Sequence, residues 1–410
     1  MHRSVVLLLF LAAFVALSTP VSSEEADAPD RFEEAMAFIQ HLDENYQYFE
    51  LKGIEREWKM SLRSWRREAR KLESDAQMLK FFEKVLDCLR DGNARIVECD
   101  VEYEKPVYYY CGISLVQGER GKLYVLRNNS GRYDEIKPGS ELLKIDGRSA
   151  ARTLSKASKE LWEEGGRFSS PQQATFLLTN WALRSTKKDE EHELDFELKG
   201  DRFSVTVKCD IEVPATPYCM PVVTGLSKSP SDEYVMYKKL DSGVAYIYCG
   251  RTSSQTDRAV SEAIEKLNCT DAYIIDLTDC HGREQATLAA ITPYAGNCVA
   301  LVGPGTAHFG ERYARDLTTD IRATLVGSNT AGCASYIIEY DLPRGLGVVQ
   351  YSEKQVRGKF EFKGLSPSMK QANEAEPLTR GTTALIERAE RKGFRSEERR
   401  VGKECTLRCR

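Results

Sequence analysis

The sequence predicts an α/β protein: a core with a largely parallel sheet and helices, preceded by a small helical domain and a β module. Three observations predict it. Strand-like and helix-spaced apolar runs alternate between about Tyr234 and Arg391. Apolar residues recur at helical spacing between 31 and 90, and short strands bounded by Pro-Gly and Asp-Gly pairs occupy 108–155.

Within a helical region over 24–104, the helical spacing is carried by Phe32, Met36, Phe38, Ile39 and Leu42, then by Met78, Leu79, Phe82, Val85, Leu86 and Leu89. Asp91-Gly92-Asn93 is a turn signal leading into a strand at 94–97. The β module spans 105–212. Its strand around Leu142 to Ile145 lies between Pro138-Gly139 and Asp146-Gly147, and alternation on both sides of Lys199-Gly200-Asp201 makes a hairpin. In the core, 213–394, strands are expected at 244–248, 272–277, 299–302 and 323–326. Helices are expected there at 256–267, 309–317 and 379–391.

A chain of 410 residues is too long for one ordinary core. Composition is globular, 41% hydrophobic and 29% charged, and the formal charge of -4 is spread along it. Neither nucleic acid nor an anionic membrane surface is an indicated partner. His2 and Arg3 precede an apolar run from Val5 to Leu17, followed by Pro20, Ser22 and Ser23. This reads as a secretory signal peptide over 1–23, since the run falls short of the ~20 residues that a membrane-spanning helix needs. The mature chain is expected to be secreted or lumenal, without a membrane span. There, 12 cysteines imply disulfides of open pairing. No spacing gives a zinc signature, and neither metal nor cofactor is expected. Sequons place glycosylation candidates at Asn128 and Asn268. Residues 395–410 read as an adaptor-type translated tail and are set aside from the fold.

Several motifs, in order, resemble the tail-specific, or C-terminal-processing, serine peptidases of family S41. Gly305-Thr306-Ala307-His308-Phe309-Gly310-Glu311 is similar to their nucleophile segment Gly-Thr-Ala-Ser-x-x-Glu, with His308 at the Ser position. Cys333 falls where the processing branch carries its catalytic Lys, and Asn93 where the tricorn-like branch carries a general-base His. Ile275 to Gly282 resembles Asp-Leu-Arg-x-Asn-x-Gly-Gly, which gives Gly282 an oxyanion-like place, with a plain strand-end turn as the alternative. Ile136 to Gly147 resembles a PDZ module. Gly112, Ile113, Ser114 and Leu115 then match the loop and strand that receive a peptide C-terminus. The resemblance covers about 31–392 and implies a crotonase-like (ClpP-like) core.

The resemblance fails where chemistry would occur. A neutral amide cannot accept a proton near neutral pH, and an imidazole at a helix N-terminus is expected to stay uncharged. The expected function is therefore that of a catalytically inactive homologue. It would bind an extended or C-terminal peptide, or a small apolar ligand, as retinoid-binding proteins of the eye on a similar scaffold do. The alternative is an active endopeptidase, either through a Cys333/His308 dyad with exchanged roles or with its Ser lost to a sequence error. A metal held by His281, His308 and Cys333 is a third option. Ser328 and Ser335 read as loop or strand residues with no base beside them.

Overall fold

The computed structural model describes residues 30–99, 101, 107–117, 121–213, 223, 225–241, 243–268, 273–282, 284, 286–289, 291–292, 298–353 and 360–370. The expected signal peptide, the helix at 379–391, the C-terminal tail, and Cys219, Cys269, Cys405 and Cys409 lie outside the described residues.

Three helices come first: α1 (Arg31–Asn45), α2 (Glu55–Ala69) and α3 (Asp75–Asp87). The Asp30 and Ser74 side chains accept from the backbone N–H groups of Phe32 and Gln77, capping α1 and α3. The helices bury Phe38, Leu42, Trp58, Trp65, Phe82 and Leu86 in one cluster, which also takes in Leu342, Val349 and Tyr351. Strand Arg95–Val97 pairs antiparallel with Val348–Ser352, itself paired with Ile337–Asp341. The helical region thus packs on a late hairpin that the sequence reading left out. Those strands are short and half-exposed, so their alternation is weak.

The β module is antiparallel, in the order Ile113–Gln117, Leu123–Asn128, Glu141–Ile145, Glu190–Leu198, Asp201–Cys209. Among the described residues Ile113–Gln117 is therefore an edge strand. Two helices follow the third strand, α4 (Ala150–Glu164) and α5 (Pro171–Trp181), and α5 lies against the edge strand.

The core sheet runs Ser227–Lys228, Val235–Lys239, Ala245–Cys249, Tyr273–Asp276, Cys298–Val302, Thr324–Gly327, Met369–Lys370. From Ala245 onward every pairing is parallel. Helices α6 (Thr256–Leu267) and α7 (Phe309–Thr319) bury Val260, Ile264, Tyr313 and Leu317 against it. Beyond the strands' carboxyl ends a second small parallel sheet joins Arg251–Thr252, His281–Gly282 and Ala307–His308.

Two expectations are corrected here. All eight described cysteines are free thiols, so no disulfide is formed among them. Six of them are spread over separate cores, Cys88 and Cys99 by the helices, Cys249, Cys280 and Cys298 around the sheet and Cys333 beside Ala331, while Cys111 and Cys209 share the core of the module. At the first sequon, the Asn128 amide Nδ2 donates to the carbonyls of Arg132, Tyr133 and Ile136. A glycan on that nitrogen would break this turn, so Asn128 is unsuited to carry one. Asn268 is exposed at the left-handed end of α6.

Candidate functional site

The small sheet sets Gly282 directly opposite His308. The approach is close: a Cβ on Gly282 would stand 1.6 Å from Thr252 Oγ1, and one on Gly310 would stand 2.2 Å from the Cys280 carbonyl oxygen. Glycine is thus required at both positions by space, which supports the structural account of Gly282. His308 caps α7 with φ 54 and ψ −123. A non-glycine residue holds such a conformation only where its surroundings impose it. The strand-to-helix turn displays its side chain as a nucleophile elbow does.

What that elbow presents is clamped. Asn93 follows α3, and its Nδ2 donates to the Cys333 carbonyl at 3.1 Å and to Ser352 Oγ at 2.8 Å. These bonds orient the amide so that Oδ1 faces His308, whose Nδ1 lies 2.5 Å away. Nδ1 must therefore carry the proton, and Nε2 keeps the lone pair. Burial pulls the imidazole pKa down to about 3, and the charges of Arg95, His281 and Arg312 assist. His308 is neutral at pH 7, as expected, but burial and cationic neighbours cause this before any helix end does.

Cys333 is fully buried. Its sulfur lies 3.5 Å from the donating Nε2 of Gln173. Burial first, then the carboxylates of Glu311 and Glu361, hold the thiol pKa well above its usual value. The alternative, an imidazole–thiol dyad of His308 and Cys333, is therefore not assembled. The ring is committed to Asn93, and the thiol meets an amide rather than a base. Among the described residues no group of His, Cys, Asp and Glu could hold a metal, so the proposed trio of His281, His308 and Cys333 forms no such site.

Glu311, one turn into α7, accepts from the Thr330 hydroxyl and from the backbone N–H groups of Gly332 and Cys333, both at 2.8 Å. Burial nevertheless raises its pKa to about 7. His308 and Glu311 then act on stability in opposite senses. Between about 4.5 and 7 the folded chain keeps a proton on Glu311 that the unfolded chain has released, so this residue costs stability as pH rises. Between about 6.5 and 3 the unfolded chain protonates His308 while the folded chain resists, so stability is lost as pH falls. In the overlap the slopes oppose. A His308→Gln variant should lose stability relative to wild type as pH rises from 4.5 to 6.5. Urea titrations across that range would refute this if the two proteins ran parallel.

A cavity lined by Asn93, Arg95, Gly282, His308, Arg312 and Ser335 holds about 10 Å³, room for one water. Phe309 and Ile337 complete its mixed lining, and it is too small for a retinoid-like ligand.

The sequence reading missed what stands behind Ser335. Its hydroxyl donates to Glu361 Oε2 at 2.7 Å and meets the Tyr48 hydroxyl at 3.0 Å. Lys52 Nζ lies 2.9 Å from Glu361 Oε1 and donates to the Tyr46 hydroxyl and the Arg90 carbonyl. A carboxylate therefore does sit beside Ser335, contrary to expectation. No sequence signal announces it, because Tyr48 and Ser335 are 287 residues apart.

With this geometry in view, the fold can be compared. Mature CPAF superposes with a TM-score of 0.57 at 13% identity, covering 92% of this chain and 97% of that one. Mature CPAF complexed with lactacystin gives 0.56 at 13%, covering 92% and 98%. The chain has a tail-specific-protease-like fold. The photosystem II D1 C-terminal processing protease is a looser match, with a TM-score of 0.37 at 16% identity over 83% of this chain and 92% of that one. No protein-family model and no curated protein matches the sequence. The likeness is one of fold, and chemistry has to be argued from the site.

Proposed function

We propose that this chain is a secreted, non-cleaving protein of the tail-specific-protease-like fold that binds an extended peptide by its C-terminus. One observation carries the non-cleaving part: the residue at the elbow is a neutral imidazole whose Nδ1–H is spent on Asn93. No activated nucleophile stands there, and burial makes the imidazole too weak a base at Nε2 to activate one near pH 7. The binding part draws on the module. Ile113–Gln117 is an edge strand flanked by α5, and it begins at Gly112, which has φ 83. That arrangement suits a PDZ-like groove, in which a peptide adds as a further strand and its carboxylate meets backbone N–H groups. The one-water cavity argues against a small apolar ligand.

Two measurements test this reading. Long incubation of the full chain with an unstructured protein should leave the substrate intact, and Cys333→Ala should change nothing. Hydrophobic-ended peptides with a free C-terminus should bind at least tenfold more tightly than their C-terminal amides, about 1.4 kcal/mol. Equal affinities would remove the carboxylate-receiving role of the Gly112 loop. A second reading rests on Ser335, whose hydroxyl faces Glu361 and lines the cavity. Cleavage that disappears in Ser335→Ala would establish it in place of the first.

A further inference from the structure

Cys111 immediately precedes Gly112 at the root of the edge strand, and Cys209 ends the last strand of the same sheet. Antiparallel pairing of Tyr108–Tyr110 with Ile211–Val213 sets Tyr110 opposite Ile211, so the next steps along the two chains bring Cys111 beside the 209–210 segment. Continued one step, that register puts Cys111 opposite Asp210, one residue from Cys209. Both side chains are fully buried in one apolar cluster, close enough that each thiol is the first cause of the other's pKa shift. Cys209 also donates to the Leu183 carbonyl at 3.4 Å, and His192, held 2.8 Å from Asp146, lies close enough for its charge to favour the Cys209 thiolate. We propose that Cys111 and Cys209 are a redox pair that closes to a disulfide and fastens the Gly112 loop to the end of the last strand.

The chemistry balances with a low-molecular-weight disulfide such as oxidised glutathione as the oxidant. The Cys209 thiolate attacks one glutathione sulfur, forming a mixed disulfide and releasing one glutathione thiolate. The Cys111 thiolate then attacks the Cys209 sulfur and expels the second glutathione. Two protein thiols are oxidised and two glutathione thiols appear. Because both sulfurs are enclosed, oxidation follows opening of the loop around Gly112. Any effect of the bond on peptide capture rests on the function proposed above; the bond itself does not.

The test is made on the full chain, reduced and then held in an oxidising glutathione mixture, acid-quenched, alkylated and mapped by mass spectrometry. A linked pair of peptides carrying residues 111 and 209 is expected, with loss of both alkylation sites and a rise of several degrees in thermal midpoint. Cys111→Ser and Cys209→Ser should each leave the partner thiol alkylatable and abolish that rise. The proposal is overturned if both thiols stay alkylatable in the mixture, if a glutathione adduct persists on Cys209, or if either residue links to another cysteine. Peptide binding measured on reduced and oxidised protein keeps the two claims apart, since a linked pair that binds no peptide removes only the binding function.

Discussion

Replacing Lys52 with Met should cost about 3–5 kcal/mol of folding stability, the usual penalty for leaving one partner of a buried ion pair alone. The Lys52 and Glu361 side chains are 0% and 2% exposed, so water replaces nothing that is removed. Glu361 would lose the ammonium that opposes both burial and the nearby Asp91, each of which already raises its pKa. In the variant it would take a proton well above the usual carboxylate range. A carboxyl whose folded pKa is raised stabilises at low pH and loses that contribution as pH rises through the folded value. The deficit should therefore be smaller at pH 5 than at pH 8. Glu361→Gln added to Lys52→Met should recover part of it, because no buried charge is then orphaned. Urea denaturation at the two pH values reads all of this. A loss under about 1 kcal/mol would mean that the pair behaves as a solvated one.

The second large effect is expected at Glu311. Glu311→Ala removes the acceptor of two buried backbone N–H groups and of the Thr330 hydroxyl. An orphaned buried donor costs about 1–3 kcal/mol, so a loss of about 3 kcal/mol or more is expected, reduced by relief of the buried carboxylate itself. Glutamine should not rescue it fully, because its NH₂ would face the Cys333 N–H. All three bonds hold the 330–333 turn against α7, so the variant should also expose Cys333. Alkylation of that thiol under native conditions, slow in wild type, should become measurably faster. An unchanged rate with reduced stability would confine Glu311 to a fold-wide role.

Much of the architecture was readable in advance. The helices expected at 256–267 and 309–317, the core strands and the hairpin about Lys199-Gly200 formed where periodicity placed them, the second helix running two residues further, because each carries its own apolar spacing and turn residues. The late hairpin over 337–352 did not announce itself, since much of its surface is half-exposed and its buried face is completed only by helices at the other end of the chain.

The site divides the same way. That His308, Cys333 and Asn93 stand at one place in the fold was implied by motif order. What these residues do to one another was decided by the tertiary structure. The orientation of the Asn93 amide, set by Cys333 and Ser352, determines which imidazole nitrogen holds the proton. Burial and two arginines keep the ring uncharged, and the Lys52–Glu361–Ser335 network is assembled from three distant segments. Local sequence determines propensity, turn chemistry and which side chains are available. Hydrogen-bond direction and the energy of a charge depend on neighbours within a few ångströms in space, and only the folded chain brings those together.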